Sequence, residues 1–184
     1  HERVGFVSGE LTEQSLDRAN VGQAESAVIL GNQDIEDVRG RDAKTLICAL
    51  TVKQYNPDIY VGIQLFDSGS LNHAAVSQAD EVIVVGALAG GLLSRAVLDH
   101  GSSKAISNLV TTAERCEVYR VELPPAWVGR SFGETLELAK SELDMLVVAV
   151  EPQGGELVLN PPGDYVFGRG DSLAVIAEER PRVA

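Results

Sequence analysis

Residues 27–66, AVILGNQDIEDVRGRDAKTLICALTVKQYNPDIYVGIQLF, hold the segment order that decides the fold. Residues 27–30 form a continuous apolar run stopped by Gly31, the pattern of a strand buried on both faces. Ala43, Leu46, Ile47 and Leu50 then recur at i, i+3, i+4 and i+7, one face of a helix. That helix is expected to start near Asp42 and to stop before Asn56-Pro57. Residues 59–66 read as the next strand. A strand, a helix and a strand in this order predict two parallel strands joined by a right-handed crossover.

The same alternation extends outward in both directions. Before the quoted stretch, residues 4–7 read as a short strand, and Thr12 can cap a helix carrying Leu16 and Ala19. After it, Ser68 can cap a helix with Leu71, Ala74 and Ala75 on one side, and residues 82–85 form a fourth strand. Two helices follow. The first spans residues 88–99 and carries Leu88, Leu92, Leu93, Ala96 and Val97, and His100-Gly101 breaks it. Ser102 or Ser103 caps the second, which places Ile106, Leu109 and Val110 on one face. A helix pair of this kind between two lobes reads as a connector able to pair with a second copy.

From about residue 115 the pattern turns β-rich. Tyr119, Val121 and Leu123 alternate along a strand that Pro124-Pro125 ends, and Ser131 with Glu134 has capping-box spacing for one short helix. Residues 145–150 form a strand, Gln153-Gly154-Gly155-Glu156 a hairpin turn, and residues 157–159 the return strand. After the turn at Arg169-Gly170-Asp171 comes a last strand, residues 173–177. The expected organisation is α/β: a parallel-sheet lobe over residues 1–86, a helix–turn–helix connector over 87–114, and a small α+β lobe over 115–184.

Bulk properties narrow the functions available. None of the apolar runs in the 184 residues approaches bilayer length, so direct membrane insertion is not expected. The chain shows no signal-peptide pattern, and its opening on His1 suggests an excised or processed fragment. A formal net charge of −12 repels phosphate backbones, and no basic stripe offsets it, which argues against a nucleic-acid partner. Cys48 and Cys116 form no ligand cluster and read as structural thiols of a reducing compartment.

The order of the C-terminal segments carries a resemblance. Glu122-Leu123-Pro124-Pro125 is followed by Val128-Gly129-Arg130-Ser131-Phe132, then by Leu157-Val158-Leu159-Asn160-Pro161-Pro162-Gly163-Asp164-Tyr165, then by Gly170-Asp171. This order resembles the C-terminal lobe of the regulator-of-potassium-conductance (RCK) family of bacterial potassium channels and Trk/Ktr-type uptake systems. Phe6-Val7-Ser8-Gly9-Glu10, Leu16-Asp17-Arg18-Ala19-Asn20-Val21 and Ala79-Asp80-Glu81-Val82 resemble the second half of that family's Rossmann-like lobe, making residues 1–86 a partial one. The opening strand–helix–strand with the family's GxGxxG loop is absent, and the stretch from Asn32 to Asp42 is longer and more charged than the family pattern.

The resemblance implies a cytoplasmic ligand-sensing domain that couples ligand binding to the pore of a membrane potassium channel, paired as a dimer or assembled as an octameric ring. A soluble regulatory subunit of a Trk/Ktr-type transporter or exchanger is the alternative within the family. A fragment of a nicotinamide-dependent oxidoreductase, or a hydrolase on an α/β scaffold, is the alternative of another class. It would need a dinucleotide loop or a nucleophile beside a base, and the sequence shows neither. No catalytic residue is therefore expected, and any nucleotide site in the chain is incomplete.

Ligands of parallel sheets gather beyond the carboxyl ends of the strands. Glu10 follows the first expected strand, and Asp34, Glu36 and Asp37 follow the second. In calcium-gated members of the family, carboxylates at these two strand ends bind the ion, so Ca2+ is the cofactor the resemblance implies, with Glu10, Asp34, Glu36 and Asp37 as candidate ligands. A solvated acidic loop is the competing reading. Gly86-Ala87-Leu88-Ala89-Gly90-Gly91 is neither a GxGxxG nor a P-loop, and its small residues read as sites of close helix packing. His73 and His100 have no partner at ligand spacing. Asp144, Asp164 and Asp171 could each serve as a catalytic acid, but turn capping explains Asp164 and Asp171 better, and Trp127 reads as a core or interface anchor.

Overall fold

The structure, a computed structural model, describes residues 5–111 and 116–182. The chain divides into two units, His1–Leu98 and Asp99–Ala184.

In the first unit, β1 (Ser26–Ile29), β2 (Tyr60–Leu65) and β3 (Glu81–Val84) pair in parallel in the order β1-β2-β3. The register sets Ile29 beside Ile63 and Ile63 beside Val82, an apolar row across the sheet. Helix α1 (Glu13–Arg18) starts at Thr12 with a reciprocal capping box to Ser15, and it buries Leu16. Helix α2 (Val38–Tyr55) packs Ala49 and Val52 against Val61, Ile63 and Leu65. Helix α3 (Leu71–Ser77) follows a 3-10 turn, and α4 (Val85–Leu98) continues directly from β3.

The second unit holds α5 (Ser102–Val110) and an antiparallel sheet of β4 (Glu117–Glu122), β7 (Ser172–Ala177), β5 (Leu146–Glu151) and β6 (Val158–Leu159), in that spatial order. Helix α6 (Phe132–Leu143) has the expected capping box between Ser131 and Glu134. Its Phe132 and Ala139 join Trp127, Met145, Phe167 and Leu173 in the core, so Trp127 is a core anchor.

The Asn160–Asp171 stretch that carries the resemblance is fastened to the start of α6 by main-chain hydrogen bonds. Phe132 donates to Tyr165 at 2.7 Å and Gly133 donates to Gly163 at 2.9 Å. A Cβ at position 133 would stand 3.1 Å from the Gly163 oxygen, so this crossing favours glycine there.

Several expectations change. The strand at residues 4–7 is not formed over its described part. Phe6 is 91% exposed and the segment is not paired to the sheet, and three apolar residues without a ladder hold no extended structure; Val4 lies outside the described residues. Helix α2 begins at Val38, not near Asp42, because Asp37 caps it by accepting a hydrogen bond from the Gly40 amide at 2.6 Å. Asp67, not Ser68, caps the turn before α3. Gly101, at φ +98°, precedes α5 without a side-chain cap, while the Ser102 hydroxyl donates to the Asp99 carbonyl at 2.8 Å.

The largest change is the rotation of α2. Ala43, Leu46, Ile47 and Leu50 do not form the buried face, and Ile47 is 63% exposed. The buried stripe is Asp42, Thr45, Ala49 and Val52. Two physical causes act together. The small Ala49 lets the helix lie close to the sheet, and Asp42 has its own partners inside.

Candidate functional site

The carboxyl ends of the strands in the first unit converge on Phe66 and Asp67. Both oxygens of the fully buried Asp42 carboxylate accept main-chain hydrogen bonds there: Oδ1 from Phe66 at 3.0 Å and Oδ2 from Asp67 at 2.9 Å. Charge-assisted bonds of this kind satisfy a buried carboxylate without a cation. Next to it, Arg41 lies with its guanidinium carbon 4.7 Å from the Phe66 ring centroid. Its Nε and Nη2 both donate to the Ile35 carbonyl, at 3.2 and 2.7 Å. The Gly31 amide donates to Gln64 Oε1 at 3.1 Å. Arg39 Nε stands 3.6 Å from Asp67 Oδ2.

Asp34, Glu36 and Asp37 lie in the segment between β1 and α2, and they and Glu10 are exposed. Glu10 precedes α1, and its main-chain carbonyl accepts the Ser15 hydroxyl at 2.6 Å. The Asp34 amide donates to Asn32 Oδ1 at 2.9 Å, a side-chain turn that shapes the segment. Asp37 is engaged as the cap of α2. Among the described residues, no group of three or more His, Cys, Asp or Glu side chains is arranged to hold a metal ion. Asp34, Glu36 and Asp37 share one segment, and the structure places Glu10 in another.

The outward face of α2 forms a second feature. Ala43, Leu46, Ile47 and Leu50 face α3 across an open groove of about 510 Å³, rimmed by Arg39, Asp67 and His73. Below the sheet's other end, Lys53, 10% exposed, contacts Asp80 at 2.7 Å, and Asp80 also accepts the Val61 amide at 2.7 Å. The Lys53 hydrogen bond, then the Val61 amide, hold the Asp80 carboxyl below its usual range.

Other candidates settle into structural roles. The Gly86–Gly91 stretch lies wholly inside α4. A Cβ at Gly86 would stand 3.1 Å from the Phe66 carbonyl, whereas Gly90 and Gly91 have open space, so close packing explains only the first. Asp171 accepts hydrogen bonds from the Gly168 amide at 2.8 Å and the Tyr165 hydroxyl at 3.0 Å, closing its turn. Burial, then that hydrogen bond, raise the Tyr165 hydroxyl above its ordinary value. Asp144 ends α6 in the left-handed conformation and ion-pairs with Lys140. Asp164 is an exposed turn residue, and burial raises the Cys48 thiol. His73 and His100 are exposed.

Sequence reasoning missed Arg41, Asp42 and Phe66. One signal was available: Asp42, Thr45, Ala49 and Val52 stand at i, i+3, i+7 and i+10, a helical stripe of small and polar residues.

Residues 1–63 match the family described as the calcium-activated potassium channel slowpoke-like RCK domain. Over 189 aligned residues the chain is 28% identical to the calcium-gated potassium channel TvoK of Thermoplasma volcanium, with 100% of this chain and 53% of TvoK covered. It is 27% identical over 209 residues to the calcium-activated potassium channel slowpoke of Drosophila melanogaster, with 96% of this chain and 17% of the relative covered. The human SLO3 gating ring shares the fold, with a TM-score of 0.77, 23% identity, and 95% of this chain and 36% of that one covered. The chain is thus similar to these channels, with the slowpoke-like RCK match confined to residues 1–63, and it spans about half of TvoK and a smaller part of slowpoke. No helix among the described residues is long and apolar enough to cross a membrane.

Proposed function

We propose that the chain is a cytoplasmic, ligand-sensing regulatory module that gates a membrane potassium channel and performs no catalysis of its own. The observation that carries this reading is the exposure of α4 and α5. Neither buries a single residue, and they leave Leu88, Leu93, Val97, Leu98 and Val110 exposed. Helices this apolar and this uncovered are built to meet another chain. In this reading residues 1–86 sense, 87–114 connect and pair with a second copy, and 115–184 form the C-terminal lobe of a dimer or larger ring. The module works on the cytoplasmic side of the cell membrane. A ligand that binds one arrangement of the module better than another shifts the pore by that difference in affinity and by no more.

Calcium is the ligand this reading favours, with Glu10, Asp34, Glu36 and Asp37 as the carboxylates that draw it. The named relatives are calcium-gated or calcium-activated, and all four acids are exposed. An exposed set that the ion must gather is expected to bind weakly, on the order of 10⁻⁴–10⁻³ M. The test is a calorimetric calcium titration of the native chain beside Glu10→Gln. Weaker binding in the variant is the expected result. Coincident curves would remove Glu10 from the site.

A further inference from the structure

The geometry points to Arg41 as a latch that couples the acidic segment 32–37 to the carboxyl end of β2, so that a change at either is felt at the other. This coupling rests on contacts within the chain and holds whether or not calcium is the ligand.

Two independent sets of contacts meet at this side chain. Two guanidinium nitrogens hold the Ile35 carbonyl, at 3.2 and 2.7 Å, which fixes the middle of the segment. The same planar group lies over the Phe66 ring, 4.7 Å from its centroid, at the first residue after β2. A Cβ at Gly31, where the segment leaves β1, would come 2.4 Å from the Phe66 ring and 3.2 Å from Arg41 Cδ, so ring, guanidinium and segment are in close register. The neighbouring Asp42 holds the Phe66 and Asp67 amides from below, so Phe66 cannot move without disturbing α2. Asp67 in turn faces Arg39 at the rim of the α2–α3 groove. Displacement of the segment therefore has a continuous route to that groove through one guanidinium and one ring.

Lysine cannot do this work. Its ammonium is a point donor that cannot lie flat on Phe66 while giving two N–H groups to one carbonyl. Methionine keeps the apolar stem but removes every donor. A merely space-filling role would tolerate one or both.

Residue-resolved amide exchange on the whole chain tests the latch, comparing wild type with Arg41→Lys, Arg41→Met and Phe66→Leu. The reporters are the Asp34 and Ile35 amides, each hydrogen-bonded within the segment. Both Arg41 variants are expected to speed their exchange on the order of tenfold, as loss of one charge-assisted hydrogen bond does. Phe66→Leu, which removes the ring that Arg41 covers, is expected to speed the same two amides while leaving α6 unchanged. Wild-type exchange in Arg41→Lys would overturn the latch. So would a Phe66→Leu effect confined to residues 64–70. If the Arg41 variants do not fold, the Phe66→Leu result decides alone.

Discussion

Replacing Asp42 with alanine is the sharpest perturbation of the first unit. The carboxylate is fully buried and accepts two main-chain hydrogen bonds, from Phe66 and Asp67, at the point where β2 hands over to α3. Alanine leaves both part-buried amides without an acceptor. Each buried donor left unmade costs about 1–3 kcal/mol, so the variant should lose roughly 2–5 kcal/mol. An asparagine side chain, with one oxygen and one amide donor, keeps one bond and sets a donor against the other N–H. The stability of Asp42→Asn should therefore fall between those of the native chain and Asp42→Ala. Small domains are stable by only about 5–15 kcal/mol, so Asp42→Ala should shift the midpoint of urea unfolding visibly. Far-UV circular dichroism is the suitable probe, because Trp127 lies in the other unit and its fluorescence would report a different core. A loss below about 0.5 kcal/mol, the size of an ordinary surface substitution, would refute the account of the rotated α2.

Two further outcomes follow from other parts of the structure. The Asp80 carboxyl is held below its usual range, so its contribution is fully present above the unfolded value near 3.8 and is lost as pH falls through the lower folded value. Acid unfolding of Lys53→Met should therefore begin at higher pH than that of the native chain, while the two stay parallel near neutrality; superimposable acid limbs would count against the pair. On α4, Leu93 and Val97 are exposed, and Leu93→Ser with Val97→Ser should convert a self-associating chain to monomer by light scattering. A wild-type chain that is already monomeric at tens of micromolar would remove α4 as a pairing surface.

How far the residues foretold the structure varies with what sets each element. Two caps were legible, Thr12 before α1 and Ser131 with Glu134 before α6, because each acts over three residues and depends on nothing distant; the starts of α2, α3 and α5 were not. The parallel sheet was legible from the spacing of β1, α2 and β2. The face of α2 was not. Hydropathy assigned Leu46, Ile47 and Leu50 to the core; Leu46 packs at its margin, whereas Ala49 and Asp42 hold its centre through close approach and through amides 24 and 25 residues away in sequence. The same α2 residues now line the open groove, so the apolar stripe was real and only its direction was misread.

Strand order left the acidic candidates apart: Asp34, Glu36 and Asp37 follow β1, while the strand expected before Glu10 is not formed over its described part. Arg41 was invisible in the sequence, because its partners are a main-chain oxygen and a ring that only the fold brings together.

The measurement that bears most directly on the regulatory reading is potassium flux through a channel protein that carries this chain as its regulatory module. Reconstituted in lipid vesicles, that protein should pass potassium at a rate that rises with calcium on the face bearing the module. Removing residues 1–184, with the pore otherwise intact, should abolish the calcium response while leaving a basal flux. A flux that responds to calcium equally with and without the module, or a full-length protein that passes no potassium under any condition, would contradict the account.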